Sequence, residues 1–247
     1  MADQLTLYED ERIDDLLTND LKIIQSKNVF CFSMDAVLLS HFVSVPVKGK
    51  IVDLCSGNGV IPLLLSTRTK AQITGVELQP RIVDMALRSI AMNHLDQQIH
   101  MIHGDIKEAH LFLEQGGYDV VTCNPPYLSK GTGDQNVNSH LAIARHEIYC
   151  NLEEVIIACS KLVKSGGKVA LVHRPSRMVD LLYFMRKYRI EPKRIRFVHP
   201  RIDEAANMIL VEGIKDGGVE VRLLPPMVVY EENGEYTSEL MKIYYGG

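Results

Sequence analysis

The chain predicts an α/β fold, with a mostly parallel sheet and helices on both faces. Three observations predict it. Short apolar runs alternate with stretches of helical period from residue 50 to 214. The last two runs, Arg194 to His199 and Asn207 to Ile214, are joined only by Pro200 to Ala206. That connection is too short for a parallel crossover, so this pair is antiparallel. The length of 247 residues and a hydrophobic share of 46% suit one large α/β domain.

Residues 1–20 show no clear period, and Leu21 to Gln25 forms a short strand. An apolar run from Val29 to Met34 precedes a helix that Asp35 caps, with Val37, Leu38, Leu39 and Phe42 buried. Lys50 to Cys55 is the first core strand. Ser56-Gly57-Asn58-Gly59 turns it into a helix from Val60 to Thr67, with Pro62 in the first turn, where its missing N–H does no harm. Ile73 to Glu77 is the second strand, Arg81 to His94 an amphipathic helix, and Gln98 to His103 the third strand. Tyr118 to Cys123 is the fourth. Residues 128–145 make a long polar loop of the kind that closes over sites or contacts a substrate; Arg145 and His146 suit a substrate phosphate and equally a plain surface role. A helix from Leu152 to Val163 ends at Gly166-Gly167. Lys168 to His173 is the fifth strand, and Pro175 to Tyr188 a further helix. Beyond the antiparallel pair, the tail resumes at Val219 to Leu224. Asn233-Gly234 joins Met227–Tyr230 to Glu235–Tyr236 as a hairpin, and a short helix follows. Pro225-Pro226 follows a Leu and joins apolar runs, so it is read as a structural pair.

Composition excludes several classes. No apolar run is long enough to span a membrane, and residues 1–20 are too polar and acidic for a signal peptide. The expected location is therefore cytoplasmic. The cysteines at 31, 55, 123, 150 and 159 form no C-x-x-C pair, so a metal site is not expected. The net charge of −4 hides a basic stretch: residues 161–201 hold 12 Lys/Arg against 2 Asp/Glu. Such a stretch suits phosphates, whatever the total charge, and equally a solvated helical face.

Chemistry concentrates at strand tips, where ligands bind in open α/β sheets. Asn124-Pro125-Pro126-Tyr127 follows the fourth strand. The two prolines fix two φ angles and keep Asn124 out of the α region. A purine amino group is a poor nucleophile, because its lone pair is delocalised into the ring. Acceptors on both of its N–H bonds pull the nitrogen toward a tetrahedral shape. The Asn124 side-chain oxygen and the Pro125 carbonyl are such acceptors, and Tyr127 stacks on a flat ring. No strong base is required; positioning and electrostatics supply the rate. Taken alone, an Asn-Pro-Pro turn is equally a rigid connection. Gly57 and Gly59 let the backbone approach a ligand, but Pro62 replaces the third glycine of a dinucleotide fingerprint, which disfavours NAD. Glu77, 24 residues after Asp53, suits the two ribose hydroxyls of an adenosine ligand. Asp105 after the third strand suits an adenine amino group.

The ordered set Asp53-x-x-x-Gly57-x-Gly59, Glu77, Asp105 and Asn124-Pro-Pro-Tyr127 resembles the class I methyltransferases that use S-adenosyl-L-methionine. The resemblance implies a Rossmann-like fold with a seven-stranded, mostly parallel sheet and an antiparallel last strand. It further implies one domain over 1–247, with residues 1–49 as a lid on the cofactor, 50–214 as the core sheet and 215–247 as an extension. More narrowly, Ile23-Ile24-Gln25-Ser26, Phe32-Ser33-Met34-Asp35-Ala36, Ala144-Arg145-His146-Glu147 and His199-Pro200-Arg201 resemble bacterial enzymes that methylate the adenine amino group at position 37 of a valine tRNA. By that resemblance Asp53, Ser56, Gly57 and Gly59 bind the methionine end of the cofactor. Glu77 with Leu78 holds its ribose and Asp105 with Ile106 its adenine, while Ser33 and Asp35 close over the methionine part. Asn124, Pro125, Pro126 and Tyr127 hold the target base, and RNA meets the basic segment 161–201. The same motif also serves a guanine amino group in ribosomal RNA or a glutamine amide in a release factor. A non-catalytic scaffold of the same fold is the alternative of a different class.

Overall fold

The computed structural model describes residues 7–29, 32–125 and 151–245. β1 (Glu11–Asp15) and β2 (Lys22–Ser26) form an antiparallel hairpin, a two-stranded sheet of its own. The missing period of residues 1–20 reflects this: β1 buries no whole face, and ion pairs hold it down instead. Arg88 grips the Glu11 carboxylate with two nitrogens, each at 2.7 Å. Arg81 binds Asp10 beside Ser26.

Among the described residues the main sheet has nine strands. Its core consists of β3 (Lys50–Leu54), β4 (Gln72–Glu77), β5 (Ile99–His103), β6 (Tyr118–Cys123), β7 (Val163–His173), β8 (Ile190–His199) and β9 (Met208–Lys215). The order is β8-β9-β7-β6-β3-β4-β5, and β9 runs antiparallel to both of its neighbours. The expected seven strands and the antiparallel last one are therefore present. Two short strands, β10 (Arg222–Leu223) and β11 (Met227–Val228), lengthen the sheet by pairing parallel with β8. The expected hairpin is present but short: Tyr230 and Tyr236 pair across the Asn233-Gly234 turn, where Glu231 N–H donates to the Glu235 carbonyl at 2.8 Å and Thr237 N–H to the Val229 carbonyl at 3.0 Å, while β8 claims Met227 and Val228.

Helices α1 (Met34–Phe42), α2 (Val60–Ser66) and α7 (Ser238–Tyr245) pack with Ile51, Ile73, Val120 and Val172 on one face. Helices α5 (Leu152–Leu162) and α6 (Met178–Lys187) cover Val52, Val121, Cys123 and Leu171 on the other. The alternation within β6 and β7 assigns side chains to these two cores. Helix α3 (Pro80–Met92) supports the hairpin, and the short α4 (Ala109–Phe112) follows β5.

Two local expectations change. Ser33, not Asp35, is the N-cap of α1; Asp35 lies inside the first turn and accepts from the Ser33 hydroxyl and from the Ala36 N–H at 3.1 Å. Gly166 and Gly167 do not end a helix. They lie within β7, in a bulge opposite Tyr118 to Val120. Gly166 has φ +76, and a Cβ on Gly167 would stand 2.7 Å from Val163 and 2.9 Å from the Lys164 carbonyl, so both turn and space demand glycine.

Candidate functional site

Strands β3 and β6 are neighbours from which the sheet is wound in opposite directions, and the crevice at their carboxyl ends is the ligand position of such folds. Asp53 and Asn124 meet there: Asp53 pairs with Thr122, and Leu54 with Cys123, in the β3–β6 register.

After β3 the chain turns through three left-handed residues, Cys55 (φ 56), Gly57 (φ 57) and Gly59 (φ 84). A left-handed cysteine costs about 1 kcal/mol, which the surrounding bonds must hold. Ser56 N–H donates to the Val76 carbonyl at 3.0 Å, and Gly57 N–H to Glu77 Oε2 at 3.0 Å. Asn58 Nδ2 donates to the Ile24 carbonyl at 3.1 Å, tying the turn to the N-terminal hairpin. Among the described residues no atom stands within 4 Å of a Cβ built on Gly57, so this turn is open to a ligand on that side.

Asp53 is fully buried. Its Oδ1 accepts the Thr122 hydroxyl at 2.6 Å. Its Oδ2 and the buried Ser56 Oγ have no hydrogen-bond partner among the described residues. Burial pushes the Asp53 carboxyl up to about 7; the Thr122 hydroxyl and the nearby Ser56 hydroxyl work against this, and the Glu77 charge adds to it. Glu77 is also buried, which raises its carboxyl, while N–H donors from Gln79 (3.0 Å to Oε1) and Gly57 hold it down. His103 Nε2 contacts the Leu78 carbonyl at 2.9 Å. Asp105 caps the following 3-10 turn, accepting from Lys107 N–H at 2.9 Å, with Ile106 buried behind it. Asn124 is half-buried and Pro125 buried. Pro126, Tyr127, the loop 128–145, Arg145 and His146 lie outside the described residues.

Ser33 and Asp35 stand elsewhere, across Asn124 from the Gly57 turn. With Met34 they form one wall of a cavity of about 130 Å³, whose other wall is His173, Arg174, Asn207 and Met208. This second wall was not singled out in the sequence. The available signal was that His173 ends the strand adjacent to the Asn-Pro-Pro strand.

The profile of the methyltransferase small domain family matches residues 20–180. This chain belongs to that family. A tRNA1(Val) (adenine(37)-N6)-methyltransferase of Aliivibrio salmonicida is 29% identical over 144 residues, spanning 57% of this methyltransferase and 58% of that protein. The protein of the same name from Shewanella sp. strain MR-4 is 24% identical over 212 residues, 85% and 89% of the two chains. Among solved structures, a predicted O-methyltransferase from Agrobacterium tumefaciens superposes with a TM-score of 0.70 at 23% identity, covering 86% of this chain and 96% of its own. Geranyl diphosphate C-methyltransferase from Streptomyces coelicolor, solved with S-adenosyl-L-homocysteine, gives 0.54 at 14% identity over 73% and 78%. The fold is thus that of the Rossmann-like methyltransferases.

The site of this methyltransferase fits an adenosyl amino-acid cofactor on its own observations. Two buried polar atoms that make no hydrogen bond of standard geometry among the described residues, Asp53 Oδ2 and Ser56 Oγ, stand beside the Gly57 turn, and a buried acid ends the next strand. The basic stretch reads differently in three dimensions. At least eight of its 12 cations are held by carboxylates, including Lys164–Asp119, Lys187–Glu153, Arg189–Asp216, Arg194–Glu212 and Arg196–Glu239. Those five acids lie outside residues 161–201, so the fold neutralises much of the local charge. No helix among the described residues is long and apolar enough to cross a membrane.

Proposed function

We propose that this chain is an S-adenosyl-L-methionine-dependent RNA methyltransferase acting on an adenine amino group, in a tRNA anticodon loop. The carrying observation is the juxtaposition of Asn124 with Asp53, Ser56 and the Gly57 turn at the β3–β6 crevice. Relatives named for adenine-37 methylation, aligned over as much as 85% of the chain, support the acceptor.

When bound, S-adenosyl-L-methionine supplies an electrophilic methyl on a sulfonium. Asp53, Ser56, Gly57 and Gly59 bind its methionine end. Glu77 with Leu78 receives the ribose hydroxyls, and Asp105 with Ile106 the adenine. Glu77 now accepts from two backbone N–H groups, so ribose binding adds donors to a carboxylate already oriented. Asn124 Oδ1 and the Pro125 carbonyl accept the two N–H bonds of the target amino group, and Tyr127 stacks on its ring. Acceptors held by the stiff turn cost no reorganisation during attack. The proton leaves after transfer. The base is withdrawn from its stack at a lower cost in a loop than in a duplex. Residues 1–247 act as one methyltransferase domain, with the lid in 1–49 and an extension in 215–247 that lengthens the β8 edge. Phosphates meet those cations of 161–201 that protein carboxylates leave available.

The test is incubation of the full chain with labelled S-adenosyl-L-methionine and, separately, unmodified tRNA, ribosomal RNA and release factor. Digestion and mass spectrometry then locate the methyl. N6-methyladenine in tRNA is expected. Methylated guanine or glutamine would retain the chemistry and overturn the acceptor.

A further inference from the structure

We infer that Asn58 is a positioning residue for the cofactor: its side chain ties the N-terminal hairpin to the Gly57 turn, so that hairpin docking and S-adenosyl-L-methionine binding favour each other. The inference rests on the cofactor reading of that turn and holds whichever acceptor is methylated.

The hairpin is the first argument. Among the described residues, β1 and β2 pair only with each other. A two-stranded hairpin is marginal by itself in water, so its place is set by what it docks against. Alternate residues of an antiparallel strand turn their N–H and C=O groups away from the partner strand. In β2 these residues include Lys22 and Ile24, and side chains stand where a third strand would be. Asn93 meets both groups of Lys22, accepting its N–H at 2.9 Å and donating to its carbonyl at 2.7 Å. Ser89 accepts the Ile24 N–H at 2.9 Å and donates its hydroxyl to the Met85 carbonyl at 2.8 Å. Ser89 lies in α3, and Asn93 is its C-cap. The Ile24 carbonyl meets a different element: it accepts from Asn58 Nδ2 at 3.1 Å, 34 positions along the chain. A carbonyl only accepts, so the contacting atom of Asn58 is its amide nitrogen. Ile24 and Ser89 are 0% exposed and Asn58 5%, so water offers no ready substitute for this bond.

The turn is the second argument. Three of the five residues from Cys55 to Gly59 are left-handed. Such a backbone persists only where its surroundings over-determine it. Two holds on the turn come from β4, through the Val76 carbonyl and the Glu77 carboxylate. Glu77 is also the acid proposed for the ribose, so that hold is shared with the ligand. The Asn58 amide is engaged with the hairpin instead. Helix α3 completes the triangle. A Cβ built on Gly59 would lie 3.4 Å from the Ala86 Cβ, and the preceding Met85 packs with Ile24, Val29 and Ile82. Hairpin, helix and turn therefore meet around Asn58, while the Gly57 side of the turn is open to a ligand. A ligand that needs the turn in this shape stabilises the docked hairpin. By linkage, the docked hairpin raises the ligand's affinity by the same factor.

The test uses the full chain and needs no acceptor. Affinity for S-adenosyl-L-homocysteine is measured by calorimetry for wild type, Asn58→Ala, Asn58→Asp and Ser89→Ala. Hydrogen exchange of residues 8–29 is followed with and without that ligand. Asn58→Ala and Asn58→Asp are expected to bind about tenfold more weakly, in the range usual for coupled sites. Aspartate keeps the shape and loses the donor, so an Asp variant that binds like wild type overturns the inference. Ser89→Ala loosens Ile24 from the side away from the turn and is expected to weaken binding severalfold. Ligand should slow exchange in the wild-type hairpin about tenfold, and less than about twofold in Asn58→Ala. A purely structural role would lower stability yet leave ligand protection of the hairpin intact, and that result also overturns the inference. Should both Asn58 variants fail to fold, Ser89→Ala decides, and wild-type affinity with wild-type protection would then refute the coupling. A wild-type chain that does not bind S-adenosyl-L-homocysteine removes the cofactor reading of the turn and this inference together. Binding by wild type with unaffected variants removes the inference alone.

Discussion

Asp53→Asn isolates a charge that the fold tolerates at a cost. In the unfolded chain the Asp53 carboxyl titrates near 3.8; in the folded protein burial lifts it to about 7. Between those values the folded state holds a proton that the unfolded state has released. Stability from this group is fully present below pH 3.8 and is lost as pH rises through 7. Between pH 5 and pH 8 the loss is about 3 kcal/mol, at about 1.4 kcal/mol per tenfold change in proton affinity. His173 acts in the opposite sense: its folded value of about 4 lies below the ordinary 6.5, so its contribution is lost as pH falls through that interval. Glu77, whose carboxyl burial also raises, acts in the same sense as Asp53, so the variant must be compared with wild type at each pH. Asparagine can still accept the Thr122 hydroxyl, which keeps the local geometry. Urea unfolding of the ligand-free protein at pH 5, 6.5 and 8 is the assay. The stability of Asp53→Asn relative to wild type should be greatest at pH 8 and about 3 kcal/mol smaller at pH 5. Parallel profiles for the two proteins would show that Asp53 does not titrate in this range, and the argument from burial would fail.

Other predictions address the site and its support. Asn124→Ala should retain cofactor affinity and lose about a hundredfold in kcat, the scale of removing one preorganised polar contact to the transition state; single-turnover kinetics with tRNA decide. Glu77→Ala should weaken cofactor binding by about 1–3 kcal/mol, read by calorimetry, and unchanged affinity would move the ribose site elsewhere. Arg88→Ala leaves the inaccessible Glu11 carboxylate without its bidentate partner. A loss of about 3 kcal/mol is expected, or roughly 6–12 °C in Tm; a shift below about 2 °C would mean that the hairpin is held by other contacts.

Much of the sheet was legible because burial on both faces leaves mostly apolar runs, as in Ile51 to Leu54 and Val120 to Cys123, each broken by a single buried polar residue, Asp53 or Thr122. The tail was less so. Met227 and Val228 read as half of a hairpin, but an open edge of β8 offered them a ladder that lies far off in sequence. Gly166 and Gly167 read as a helix end because a bulge and a cap require the same left-handed freedom. Residues 1–20 carried no readable pattern because their anchors, Arg81 and Arg88, belong to another helix.

The sequence by itself determined the alternating α/β order, the antiparallel final pair and the chemical identity of the strand-tip residues Asp53, Glu77, Asp105 and Asn124. These follow from local rules: apolar period, connection length, and side chains next to turns. Tertiary structure alone decided that Asp53 keeps an oxygen with no hydrogen-bond partner among the described residues, and that Glu77 faces the Gly57 turn. It also neutralised much of the basic stretch, and it brought His173 and Asn207 to one cavity with Asp35. Each of these depends on distances between residues tens to more than a hundred positions apart, and such distances exist only once the strands have been ordered in the sheet.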